Sequence, residues 1–449
     1  MTIDLRKFFE ATDPSRTLVV NNQSDKQYYI DFSSVRGGDI IGKLKKKITF
    51  LPDSFTRTLF TGHIGCGKST ELLKLKLELE TEGFHVVYFE SSEDLEMTDV
   101  DIADVLLAIA HRVSQSIAKL NLQEPNRLKE LLQGVARVLN TEVTGVKIKV
   151  PGAESVGVTT EKEKFSLYLG IGEITAKAKS DGTLREKLNQ YLGPQKTKLL
   201  EGINNELLEP AIAKLKQQGK KGLVVIVDNL DRIDNRPKSW GRPQQEYLFI
   251  DQGEYLTKLN CHLVYTMPLA LKFCNDYGML TQRFVEDPKV LPMVPVQWPD
   301  GNVHEEGVYL LQEMVLARAY PDLRPDQRRR NITFIFDYAE TLERLCKVSG
   351  GHVRDLLRLL NTWIMEEMSL PLSRDTLEYV IRDRRNEMTM PISNDEWELL
   401  RQVKQTKKVN DDQGYQKLIR SRFVFEYRDC GETWFDVNPI LAEARELKF

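Results

Sequence analysis

The chain has 449 residues, enough for two or three domains with proper cores. Its 63 basic and 66 acidic residues leave a net charge of −3, which excludes a bulk electrostatic affinity for nucleic acid. No apolar run reaches the roughly 18 residues of a membrane helix, the N-terminus MTIDLRKFFEATDP lacks a signal-peptide pattern, and Cys66, Cys261, Cys274, Cys346 and Cys430 show no C-x-x-C spacing, so the expectation is a cytoplasmic protein with no membrane association, disulfide framework or zinc site.

Residues 1–35 precede the first strong signal. Within them Tyr29, Ile30 and Phe32 are apolar enough either to wall a ligand site or to pack as core. A turn at Arg36-Gly37-Gly38 leads into a predicted helix, Ile40–Phe50, closed by Pro52 and Asp53. Next comes Arg57–Thr70, RTLFTGHIGCGKST. Its apolar lead, then Gly62, then Gly67-Lys68-Ser69, complete the G-x-x-x-x-G-K-[ST] phosphate-binding loop. Leu72, Leu73, Leu75, Leu77 and Leu79 among Glu and Lys predict the helix that must follow. Gly62, Gly65 and Gly67 let successive N–H groups point inward at phosphate oxygens, and the helix N-terminus adds partial positive charge. Lys68 is expected to reach the β- and γ-phosphates, and the Ser69 hydroxyl to ligate Mg²⁺. The candidate nucleotide set is Gly62, His63, Ile64, Gly65, Cys66, Gly67, Lys68, Ser69 and Thr70. Cys66 is either a small filler or an oxidisable thiol. The chain has no guanine-reading N-K-x-D string, which favours ATP.

Further strands are predicted at His85–Glu90, Gly222–Asp228, His262–Thr266 and Lys289–Val294, with helices at Asp99–Lys119, Pro125–Leu139, Thr183–Gly219 and Gly278–Phe284. Val143–Val150 and Phe165–Ile174 alternate like strands, which predicts a hairpin-like or loosely ordered insertion at about 140–180. The run GLVVIVD ends in Asp228, at the C-terminal edge of a buried parallel strand, where a carboxylate holds Mg²⁺. Asp231 follows, either to orient the attacking water or to pair with Arg232 at the surface. Helices are predicted at Asn302–Tyr320, Ile332–Lys347, from Ser349 onward and over 374–389. Asn394–Lys404, Asp411–Arg420, then Phe423–Tyr427 and Thr433–Val437 around a turn spell a winged helix. The expected fold is thus a five-stranded parallel α/β sheet core (36–298) behind an N-terminal segment (1–35), a helical lid (299–389) and a C-terminal winged-helix domain (390–449).

In this order of parts the sequence resembles the AAA+ and STAND-type P-loop ATPases, nearest their initiator-like branch. The resemblance implies further roles. Thr266 would be the sensor 1 residue that reads the γ-phosphate through water. Arg354, in Gly351-x-x-Arg354, would be the sensor 2 arginine of the lid or a solvated helix arginine. Arg283 would be an arginine finger acting in trans or a surface arginine. Where AAA+ ATPases place Glu after the Walker B Asp, this chain has Asn229, so either Asp231 substitutes or hydrolysis is slow. The implied function is an ATP-dependent, homo-oligomerising switch that signals to a separate effector or sensor protein. The alternative is a DNA-binding AAA+ ATPase, for which Lys404, Lys407, Lys408, Lys417, Arg420, Arg422 and Arg428 are the candidate cations. They are matched by acids in the same segment. A resemblance to the membrane-linked KAP group ranks third, because the insertion is polar.

Overall fold

The computed structural model describes residues 3–20, 22–120, 122–123, 125–139, 167–410 and 413–448. Five runs of β-formers pair as one parallel sheet: β1 (Arg57–Thr61), β2 (His85–Glu90), β3 (Leu223–Asp228), β4 (His262–Met267) and β5 (Lys289–Val290). The strand order is β2-β3-β4-β1-β5. β4 lies between the strand that feeds the phosphate loop and the strand that ends in Asp228. Phe60 is paired with Thr266, and Val227 with Tyr265. Every residue of β3 and β4 is buried, as expected of parallel strands covered on both faces.

Helices cover both faces. α1 (Leu5–Ala11) packs away from the sheet, while α2 (Ile40–Phe50) and α3 (Lys68–Thr81) lie on one face. Leu72, Leu75 and Leu79 recur at helical spacing along α3 and pack with Phe60, Val86, Val224 and Val264. Each contributes roughly 1.5–3 kcal/mol by burial. The opposite face carries α4 (Ile102–Ser116), α5 (Asn126–Val138), α6 (Leu167–Ser180) and α7 (Gly182–Leu192), packed over Val87, Phe89, Val225 and Leu263.

Two strand predictions need correction. The stretch read as alternating at Phe165–Ile174 is helical from Leu167. Ile171, Ile174 and Ala178 are all buried, at spacings of three and four, in the core beneath the sheet. Gly172 lets α6 approach α4, since a Cβ there would lie 2.8 Å from Nε2 of His111. The run LGIGEI suits either period, and tertiary burial selects the helix. Val143–Val150 lies outside the described residues. The fifth strand is shorter than predicted because Pro292 has no N–H to donate. The Leu291 N–H still reaches Thr61 O at 2.7 Å, but the Met293 N–H donates to Glu426 O at 3.1 Å, in the C-terminal region.

The helical region expected as the lid holds α8 (Glu305–Ala319), α9 (Ala339–Val348), α10 (Val353–Glu367) and α11 (Arg374–Thr389). The helix predicted from Ile332 starts only at Ala339. Before it, Ile335 and Asp337 exchange backbone hydrogen bonds with Leu372, which holds that stretch extended. α1 docks on the lid, where Arg318 of α8 donates to Ala11 O at 3.0 Å. Then α12 (Asn394–Thr406), α13 (Gln413–Arg420) and the antiparallel pair β6 (Val424–Asp429) and β7 (Glu432–Val437) follow in the expected order. Phe425, Tyr427 and Trp434 of this hairpin join the same core as α3. Among the described residues no helix is long and apolar enough to cross a membrane.

Ile171 is fully buried and Leu169 is 41% exposed, although a strand would put both on one face. Ile171→Ala is expected to cost about 2–5 kcal/mol, and Leu169→Ala less than about 0.5 kcal/mol, read as thermal midpoints. Equal losses would rule out the helical register.

Candidate nucleotide-binding site

The phosphate loop connects β1 to α3. Gly67 caps α3 with φ 105°, in the left-handed region that a side chain disfavours. A Cβ on Gly65 would stand 2.7 Å from the His352 ring, so glycine there lets the lid approach the loop. Lys68 is buried, and its ammonium is folded back on the loop. Nζ donates to Gly62 O at 2.8 Å and His63 O at 2.9 Å, and pairs with Asp231 Oδ2 at 2.9 Å. Burial works against that charge. Asp231, Cys66 and Asp228 together outweigh burial and hold the Lys68 pKa above its ordinary value. Asp231 is itself buried, so the predicted surface pair with Arg232 is not formed. Its Oδ1 has no hydrogen-bond partner among the described residues.

Asp228 is 1% exposed, with no ion pair among the described residues. Oδ1 accepts the Asn229 N–H at 2.7 Å, and Oδ2 accepts the Tyr88 hydroxyl at 2.8 Å. Burial and the adjacent Asp228 push the Tyr88 pKa up. A buried carboxylate with no ion pair among the described residues, close enough to Lys68 to help raise its pKa, fits a divalent ion. Among the described residues no group of three His, Cys, Asp or Glu could hold a metal. Such an ion would complete its shell with phosphate oxygens and water, as Mg²⁺ does. Beside Asp228 in the ladder stands Glu90, whose Oε2 accepts from Asn229 Nδ2 at 2.6 Å. Burial and the Asp228 charge raise its pKa.

The outward groups of the loop are also occupied. Arg36 donates to Cys66 O at 3.0 Å, and His352 Nε2 to Ile64 O at 2.8 Å. The Arg354 N–H reaches Gly65 O at 3.2 Å. The His63 ring turns away from the cleft and accepts the Glu426 N–H of β6 at 3.0 Å. Cys66 is buried with Sγ 3.6 Å from Leu291 O, so it fills space rather than meeting solvent. The cleft itself has about 530 Å³ of empty space, open to solvent. The loop, the turn after β3, the lid residues Val353, Arg354 and Leu357, and the N-terminal residues Pro14, Arg16 and Thr17 line it. The guanidiniums of Arg232 and Arg354 have no hydrogen bond or ion pair among the described residues. Burial, then Arg232, Arg422 and Arg358, lower the Arg354 pKa.

The structure therefore brings Lys68, Ser69, Asp228, Asp231 and Arg354 together. Thr266 is fully buried on β4, its Oγ1 donating to Val227 O at 3.4 Å. Arg283, in the helix Tyr277–Phe284, packs beside Gly253 and does not line the cleft. Tyr29, Ile30 and Phe32 do not line it either. Tyr29 donates to Glu71 at 3.2 Å, on the outer side of α3. Sequence reasoning missed Pro14, Arg16, Thr17, Tyr88, Glu90 and His352. The Y-x-E alternation at the end of β2 was the one available signal, since it puts both side chains on the face of Asp228's neighbour.

Neither a family model nor a curated protein matches this chain. Among solved structures it is similar to the Walker-type ATPase paby2304 of Pyrococcus abyssi, at 11% identity over 96% of this chain and 98% of that one, with a TM-score of 0.39. It is also similar to the Aeropyrum pernix ORC2 protein, in ADPNP–ADP complexes, at 14% identity over 98% and 95% of the two chains and a TM-score of 0.37. A third is the Aeropyrum pernix ORC1 protein in complex with DNA, at 12% identity over 90% and 91% and a TM-score of 0.34. At these scores the likenesses carry no functional argument, and the chemistry is read from the residues.

Two outcomes follow from the geometry. Asp231→Ala strands the buried Lys68 ammonium without its counter-ion, a change expected to cost about 3–5 kcal/mol. The ligand-free thermal midpoint should fall, and MgATP should restore part of the loss because phosphate replaces the carboxylate. An unchanged midpoint contradicts the pair. His352 donates to a carbonyl and accepts the Asp355 N–H at 3.0 Å, so its ring is neutral, and burial lowers its pKa from 6.5 to about 4. Between those values the unfolded chain binds the extra proton, so stability is full above about pH 6.5 and falls towards pH 4, by about 2 kcal/mol at pH 5. Thermal midpoints at about pH 7.5 and 5 test this. His352→Gln should remove the His352 share of the slope and leave that of His63 and His262, whose pKa values burial also lowers.

Proposed function

We propose that this protein binds MgATP and hydrolyses it slowly, as a switch whose lid and C-terminal hairpin carry the nucleotide state to a partner. One observation carries the reading. Two guanidiniums with no hydrogen bond or ion pair among the described residues, Arg232 from the sheet side and Arg354 from the lid, line the same cleft as the phosphate-loop lysine. That is a site short of negative charge. A triphosphate supplies it: Lys68 exchanges the carbonyls of Gly62 and His63 and the Asp231 carboxylate for phosphate oxygens, while N–H groups of the loop and of the first turn of α3 hold the rest. Ser69 and Asp228 would hold Mg²⁺, which neutralises charge on the β- and γ-oxygens when bound. Asp231, freed of Lys68, faces the cleft and orients water there. Thr266 stands between the two catalytic strands in the sensor 1 place.

Coupling is short-ranged. Arg354 touches the cleft with its side chain and Gly65 with its N–H, and two residues earlier His352 holds Ile64. A change in phosphate occupancy therefore bears directly on the first turn of α10 and on the lid behind it. His63 links the same loop to β6. Arg283, which does not line its own cleft, would act as a finger on a second copy in a homo-oligomer. The effector, or sensor, is a separate protein, and the compartment is the cytoplasm.

DNA binding is the second reading, and the C-terminal region offers it little free charge. Lys407 pairs with Asp436 at 2.7 Å, Lys417 with Glu396 at 2.7 Å and Arg428 with Glu426 at 2.6 Å. Arg422 lies 3.8 Å from Asp355, and Lys404 donates to Leu447 O at 2.8 Å. α13, the helix that would read DNA, is docked on the sheet domain, with Gln416 donating to Phe273 O at 2.8 Å. Affinity for phosphates scales with released counter-ions, so paired lysines contribute little.

Steady-state MgATP turnover with and without duplex DNA, beside Lys68→Ala, tests the choice. The expectation is slow turnover indifferent to DNA and abolished by the substitution. Turnover that rises with DNA would favour the second reading.

A further inference from the structure

Hydrolysis requires a group that takes a proton from the attacking water. The residue after Asp228 is Asn229, which cannot do so. Its backbone explains the missing acid. Asn229 has φ 64°, a left-handed conformation that Asn tolerates and a glutamate rarely adopts. The acid has to come from another element. From that turn the Asn229 amide reaches across the strand ends and donates to Glu90 Oε2 at 2.6 Å. Glu90 is the last residue of β2, as Asp228 is of β3, and the two are register partners.

We propose that Glu90 is the general base for ATP hydrolysis in this chain, presented at the cleft by Asn229. The assignment rests on the MgATP reading above. Asn229 lines the cleft, so Glu90 lies one hydrogen bond from its wall. Glu90 has no ion pair among the described residues, and its hydrogen bond from Asn229 holds whether Lys68 is paired with Asp231 or with phosphate. The charged and titratable groups that bear on Glu90 are Asp228, Glu93 and Tyr88 on one side and Arg232 on the other. In the step, the water oxygen bonds to the γ-phosphorus as Glu90 takes its proton. The bond from that phosphorus to the β–γ bridging oxygen breaks, and ADP leaves with the electron pair. Glu90 then returns the proton to phosphate or solvent.

The test compares the full chain with Glu90→Gln, Glu90→Asp, Asn229→Gly and Asp231→Asn. Thermal midpoint, equilibrium MgATP binding, turnover, and the identity of the nucleotide recovered from the isolated complex after acid quench are measured for each. Glu90→Gln is expected to keep its midpoint and bind MgATP within about threefold of the parent, yet turn over about 10²–10⁴-fold more slowly. It should carry intact ATP where the parent carries ADP. Glu90→Asp should retain an intermediate rate, and Asn229→Gly, which keeps the turn and removes the amide, should lose less than Glu90→Gln. Turnover by Glu90→Gln within about threefold of the parent overturns the assignment, and a collapse of Asp231→Asn alone transfers the role to Asp231. Loss of binding together with turnover in Glu90→Gln also overturns it, because the residue is then structural. A parent that binds MgATP without turning it over removes the base and leaves the binding reading intact. A parent that binds no MgATP removes both.

Discussion

A phosphate loop must turn its N–H groups inward, which leaves its carbonyls facing the protein, and buried carbonyls need donors. That constraint organises this molecule. Arg36 meets Cys66 O, His352 meets Ile64 O, the Arg354 N–H meets Gly65 O, and Lys68 itself meets Gly62 O and His63 O. The His63 ring accepts the Glu426 N–H. The segment before α2, the lid and the C-terminal hairpin are thus each fastened to a different residue of one short loop.

The fastening is also electrostatic bookkeeping of a fine kind. His63 and His352 are both neutral because burial lowers their pKa values, so the loop is clamped by hydrogen bonds without added charge. Two guanidiniums with no hydrogen bond or ion pair among the described residues lie on the cleft side instead, at Arg232 and Arg354. Phe425 stacks on His352 with ring centroids 5.6 Å apart and meets His63 edge-on at 5.4 Å. The hairpin therefore touches the lid clamp and the loop together. Lys272, just after β4, pairs with the buried Glu426 at 3.0 Å, which adds the neighbour of Thr266's strand to the same junction. A nucleotide that moves the loop meets all of these contacts at once.

The phosphate loop, the buried strand ending in Asp228, the helix with Leu72, Leu75 and Leu79, and the terminal hairpin were legible in sequence. Each is a local pattern: a fixed spacing, an unbroken β-branched run, a helical repeat or a pair of short β-rich runs around a turn. Their signals survive folding because neighbours along the chain create them. The Phe165–Ile174 stretch was misread for the complementary reason. Its apolar residues fit two periods, and only the layer of helices beneath the sheet decided between them.

What the sequence by itself determined is one loop and one strand end: Lys68 and Ser69 stand in the G-x-x-x-x-G-K-[ST] spacing, and Asp228 closes an unbroken apolar run, whatever surrounds them. What only the tertiary structure decided is everything defined by pairs far apart in the chain. Asp231 was written as a surface or water-orienting acid, and burial made it the partner of Lys68. Glu90 and Asn229 are separated by more than a hundred residues and meet because β2 and β3 are adjacent in the strand order. His352 and Glu426 reach the loop from two later parts of the chain. Such contacts leave no periodic trace, since strand order and domain docking are set by summed burial over the whole core and not by any local run of residues.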